Sequence, residues 1–118
     1  MAIRFSTDDF DREVLESEIP VLVDFYADWC GPCKAMAPVI DKLSAEFEGK
    51  VKVGKFNVED DLGIAREYGV SSIPNLKFFK NGEVVDTVIG RITEEELREK
   101  LAGLLIAGEI VKDLSGNA

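Results

Sequence analysis

Both cysteines of the chain lie in the stretch WCGPCK, residues 29 to 34. Cys30 and Cys33 are separated by Gly31 and Pro32, and three chemistries could use such a pair. A structural cross-link over so short a loop removes little chain entropy, about 2 kcal/mol against about 3 for a fifteen-residue loop, and belongs to oxidising compartments. A zinc site wants four ligands, usually Cys and His. The chain has no histidine and no third cysteine, so no metal site is expected. Thiol–disulfide exchange uses every residue. Pro32 suits the first turn of a helix. Cys30 then sits at the helix N-terminus, where free N–H groups and the helix dipole stabilise a thiolate, the nucleophilic form. Cys33, three residues on, returns to the same face. It can attack a mixed disulfide formed at Cys30 and release the product. Trp29 adds a flat apolar surface beside the thiol.

Such a pair must be held by a strand before it and a helix after it, and the flanking residues provide both. PVLVDFYA, from Pro20, is rich in Val and aromatics and reads as a strand buried on both faces. From Pro32 to Phe47, the residues Met36, Ile40, Leu43 and Phe47 recur three or four apart, as on one helix face. Pro38 is expected to kink that helix. Upstream, STDDFDREVLES starts with cap-type residues and sets Phe10 and Val14 four apart, which predicts another helix. VKVGKFNV, from Val51, is strand-like, and DDLGIAREYG reads as a short helix stopping at Gly69. NLKFFKNGEVVDTVIG predicts a hairpin turning at Asn81-Gly82. TEEELREKLAGLL opens with a capping box, Thr93 with Glu96, and continues as an amphipathic helix. The order β-α-β-α-β-α-β-β-α predicts an α/β fold with a mixed central sheet and helices on both faces.

A chain of 118 residues with 46% hydrophobic and 31% charged residues is expected to fold as one packed domain. Its net charge of −9 argues against nucleic-acid or anionic-membrane surfaces, which need clustered positive charge. It suits a soluble monomer. The opening MAIRFSTDDFDREVL lacks the apolar run of a secretory signal. No stretch approaches the roughly 18 apolar residues that would span a bilayer. A cytoplasmic location is the resulting expectation.

Asp24 interrupts an otherwise apolar run, Val21, Leu22, Val23 and Phe25. Burial without full pairing raises a carboxyl pKa and would make Asp24 a proton acceptor near neutral pH. The alternative is a structural carboxylate paired with Lys55 in the next strand. Taken alone, Lys55 reads as a solvated strand-end lysine, Pro74 as an ordinary trans proline opening a strand, and Gly90 as a strand end or turn.

DFYADWCGPCK closely resembles the active-site segment of the thioredoxin family, and the likeness runs without gaps from about Phe5 to Ile106. The resemblance implies the thioredoxin fold, a central mixed five-stranded sheet flanked by four helices, over residues 1–106. Residues 107–118 would extend the last helix or form a tail, with Ile110, Val111 and Leu114 as its apolar positions. It implies a protein disulfide reductase without a cofactor, acting on disulfide-containing client proteins and recycled by a thioredoxin reductase. Cys30 would be the nucleophile, Cys33 the resolving thiol and Asp24 the base that deprotonates it, tuned by Lys55. Pro74 falls where the family has its cis-proline. Trp29, Gly31, Pro32, Ile73, Pro74, Ile89 and Gly90 would form the client-binding surface. Tyr26, Asn75 and Arg91 stand where many members have tryptophan, threonine and a small residue. Two rival readings are a disulfide oxidant or isomerase on the same fold and a binding scaffold without turnover. The oxidising branches of the family usually carry a histidine between the cysteines, and here Gly31-Pro32 stands instead.

Overall fold

In the computed structural model, which describes residues 2–115 and side chains as far as Leu105, the run after Pro20 is the middle strand of a five-stranded sheet. The strands are β1 (Ile3–Arg4), β2 (Val21–Tyr26), β3 (Lys52–Asn57), β4 (Asn75–Lys80) and β5 (Glu83–Ile89). They lie in the order β1-β3-β2-β4-β5. The β1–β3 and β3–β2 pairs are parallel, and the β2–β4 and β4–β5 pairs are antiparallel. The sheet is therefore mixed, and every residue of β2 is buried, as its continuous apolar pattern predicts.

The helices are α1 (Gly31–Glu46), α2 (Leu62–Glu67) and α3 (Glu94–Ser115). A fourth, short helical segment, Asp11–Leu15, precedes β2 and is wound more widely than an α-helix. The Glu16 N–H donates to the Asp11 carbonyl, five residues back, at 2.9 Å. This wider winding still buries Phe10 and Val14, the two positions that predict a helix there. Pro38 lies inside α1, which runs unbroken from Gly31 to Glu46. The backbone of α3 continues to Ser115, while the side chains of Ile110, Val111 and Leu114 lie outside the described residues.

Side chains alternate along β2 and so feed two separate cores. Leu22 joins Met36, Ile40 and Leu43 of α1 and Leu97 and Leu101 of α3 on one face. Val21, Val23 and Phe25 join Phe5, Phe10, Phe56 and Phe79 on the other. Phe10 is the hub of the second core. Its ring centroid lies 5.7 Å from Phe56, 5.6 Å from Tyr68 and 6.2 Å from Phe79. Gly54 of β3 makes room for this core. A Cβ built there would stand 2.5 Å from Phe5 Cε2 and 2.7 Å from the Ile3 carbonyl oxygen.

The hairpin turns at Asn81 and Gly82, with φ of 54° and 80°. Two positive values match the twist of antiparallel strands joined by two residues. The capping box also forms. The Glu96 N–H donates to Thr93 Oγ1 at 3.1 Å, and the Thr93 N–H donates to Glu96 Oε1 at 3.3 Å.

Candidate active site

The end of β2 and the start of α1 bring the two cysteines together. Cys30 is the N-cap of α1, with extended backbone at φ −85° and ψ 111°. Gly31 and Pro32 form the exposed first turn. The Cys33 N–H, one of the donors a helix start leaves free, points at Cys30 Sγ at 3.2 Å. That position favours negative charge on Cys30. The two sulfurs are joined as a disulfide, with Cα atoms 5.2 Å apart. Both cysteines are buried in this form, in a cluster with Tyr26 and Ile73. Exposure does not distinguish them. Backbone position does: Cys30 precedes the helix and Cys33 lies inside its first turn.

The other sequence-predicted residues fall into two groups. The first borders the disulfide from outside. The Ile73–Pro74 peptide is cis, and Ile73 packs on the cysteine cluster. The Gly90 N–H donates to the Pro74 carbonyl at 2.8 Å, which ties the end of β5 to the turn before β4. Gly90 holds φ at +93°, a conformation that suits glycine and strains other residues. Trp29 and Ile89 expose 67% and 62% of their surface, a large apolar rim around a buried pair. Trp29 and Ile73 share a cavity of about 230 Å³ with Val58, Leu62 and Val70.

The second group lies beneath. Asp24, Lys55 and Cys33 line one cavity of about 140 Å³, with Tyr26, Ala27 and Ala37. Asp24 is 2% exposed, and its Oδ1 has no hydrogen-bond partner among the described residues. Burial pushes its carboxyl up from 3.8 to about 7, against the opposing pull of Lys55. The proximity of a carboxyl titrating near neutrality to a thiol gives this cavity the means to accept a proton. A larger hollow of about 320 Å³, lined by Ile3, Ser44, Glu48 and Lys52 among others, contains none of these residues.

Two features of the site escape sequence reasoning. Trp29 Nε1–H donates to Glu59 Oε2 at 2.9 Å, which fixes the indole from the β3 side. Glu59 has no motif to mark it. Asn75, directly after the cis bond, is buried, and neither Oδ1 nor Nδ2 has a partner among the described residues. Among those residues no group of three or more His, Cys, Asp or Glu could hold a metal ion, and no helix is long and apolar enough to cross a membrane.

Residues 1–103 match the family model described as Thioredoxin. A protein named Thioredoxin from Rickettsia felis is 54% identical over 76% of this chain and 86% of its own length. Thioredoxin 1 from Nostoc is 45% identical over 85% of this chain and 94% of its own. Thioredoxin from Porphyra purpurea is 48% identical over 86% and 95%, respectively. The cysteine pair at the head of α1, the mixed sheet behind it and these matches lead to one statement: the chain belongs to the thioredoxin family and is a dithiol–disulfide oxidoreductase.

Proposed function

We propose that the chain reduces disulfides of client proteins in the cytoplasm, as a soluble monomer, and is returned to its dithiol form by a thioredoxin reductase. The Cys30 thiolate attacks one sulfur of the client disulfide. A Cys30–client bond forms, and the other client sulfur leaves as a thiolate that takes up a proton. Cys33 then gives its proton to Asp24 and attacks Cys30 Sγ. The second client sulfur leaves, and the Cys30–Cys33 disulfide remains. Two electrons pass from the chain to the client. Lys55, in register with Asp24, moderates how far the carboxyl is raised. Trp29, Gly31, Pro32, Ile73, Pro74, Ile89 and Gly90 form the surface on which the client segment lies.

The observation that carries this reading is the shared cavity of Asp24 and Cys33, which puts a near-neutral carboxyl beside the thiol that has to ionise second. The division of labour is tested by alkylating the reduced protein near neutral pH and mapping the label. Cys30 is expected to react well before Cys33, and Cys33→Ser to trap clients as mixed disulfides through Cys30. Labelling of Cys33 first would reverse the assignment. Direction is tested by equilibrating the pair against glutathione. A potential well below the glutathione couple supports the reductase, and one near that of the secretory pathway supports the oxidant.

A further inference from the structure

Most basic side chains of this acidic chain already have a partner. Arg4 pairs with Asp60, Arg12 and Lys52 with Glu13, Lys42 and Arg98 with Glu94, and Lys100 with Asp86. Lys77 donates to Thr87 Oγ1, Lys80 to the Leu104 carbonyl, and Lys55 lies over the Tyr26 ring. Among the described residues Lys34, Lys50, Arg66 and Arg91 have none.

Two of these line cavities of the redox site and a third, Arg91, directly follows one of its residues, each on a different element. Lys34 follows Cys33 on α1 and lines the cavity that holds Cys33 and Asp24. Arg66, on α2, lines the cavity shared by Trp29 and Ile73. Arg91 follows Gly90, the residue bonded to the Pro74 carbonyl. Lys34, Arg66 and Arg91 are exposed. Acids lie nearby as well: Asp28, between β2 and α1, lines the cavity of Lys34, Asp61 caps the start of α2, and Glu59 accepts the Trp29 indole N–H. On a chain of net charge −9, three of the four cations left without a partner among the described residues sit on the elements that build the redox site.

We propose that Lys34, Arg66 and Arg91 make this site select client disulfides flanked by acidic residues. The inference rests on reading the site as a disulfide reductase, and it names the class of client. Trp29, Ile73 and Ile89 offer apolar contact that any extended segment can use, so they discriminate little. Charge discriminates. Beyond a Debye length, about 8 Å at physiological salt, the acidic field of the rest of the chain is screened, and the local cations decide which segments dwell at the site.

The test uses disulfide-linked peptides identical except for Glu, Gln or Lys beside the cysteines. Second-order reduction rates are measured with the wild type, with the K34Q/R66Q/R91Q triple variant and with Arg91→Glu, at physiological salt and at about 1 M salt, where the Debye length falls to about 3 Å. Each ratio is taken within one protein, so a change in intrinsic thiol reactivity cancels. The wild type is expected to reduce the Glu peptide about two- to fivefold faster than the Gln peptide at physiological salt, the range for exposed charge pairs. The Lys peptide should be slowest. The Glu preference should vanish at high salt and in the triple variant, and Arg91→Glu should lower it. A wild-type Glu-to-Gln ratio of one, or a preference that survives in the triple variant, overturns the proposal. If the wild type fails to reduce even the Gln peptide, the reductase reading itself falls, and this proposal with it.

Discussion

Asp24 and Lys55 face each other in the register of β2 and β3, yet no ion pair joins them. The Lys55 ammonium instead lies 5.1 Å from the centroid of the Tyr26 ring. Asp24 is left buried with Oδ1 unpartnered among the described residues, and burial outweighs the Lys55 charge in setting its pKa. A carboxylate paired with lysine would be the structural alternative, and this geometry does not contain it.

Replacing Asp24 with Asn should therefore stabilise the oxidised protein and slow client reduction. The expected gain at pH 8 is about 1–4 kcal/mol, the range seen when buried charges are replaced. The folded carboxyl titrates at about 7 and the unfolded one near 3.8, so between these values the folded state holds the extra proton. Wild-type stability should then fall as pH rises from about 4 through 7, and Asp24→Asn should flatten that slope. Urea melts across this range check the sign. Single-turnover reduction should slow by up to about 10²-fold, the lower end for positioned bases. An equally fast and less stable variant would return Asp24 to a structural role.

Gly54→Ala should destabilise the fold without touching the redox chemistry. The added Cβ would meet Phe5, which is fully buried, and the backbone oxygen of Ile3, which cannot swing aside. A loss of about 1–3 kcal/mol is expected, as for other overpacked cores. An unchanged denaturant midpoint would mean that β1 moves freely against β3.

Asn75→Val should raise stability by about 1–3 kcal/mol, since it removes two buried polar atoms that have no protein partner among the described residues. Guanidinium melts of the oxidised forms measure it. A loss of stability would show that the amide is satisfied in solution by a group such as bound water.

Residues 1–106 are proposed as the complete folding domain. Ending the chain after Ala107 should shift its stability by less than about 1 kcal/mol, as surface changes do. A larger loss would place Ile110, Val111 and Leu114 in packing contacts.

Local chemistry made much of this architecture legible. Asn81-Gly82 marks a turn because few residues tolerate positive φ, and Thr93 with Glu96 marks a helix start because the two residues of the box lie only three apart in sequence. The helix after Cys30 follows from Pro32 and the spacing of Met36, Ile40 and Leu43. What stayed hidden depends on distant partners. The wide winding at Asp11–Leu15 has the same apolar spacing as an α-turn. The hold of Glu59 on Trp29 spans 30 residues. The aim of Lys55 at Tyr26 instead of Asp24 is a choice of rotamer within a register that only the assembled sheet defines.

The strand order also has a consequence for a chain emerging from the ribosome. β2 acquires its second neighbour only when β4 arrives, since Val21 pairs with Phe79. Ile73, which closes over the cysteines, comes from the same late segment. Until about two-thirds of the chain has been made, Cys30 and Cys33 lack the roof that belongs to their site, and pairings this distant in sequence form slowly. The growing polypeptide should therefore carry two ordinary thiols, and the special reactivity of the pair should switch on late, when the hairpin docks.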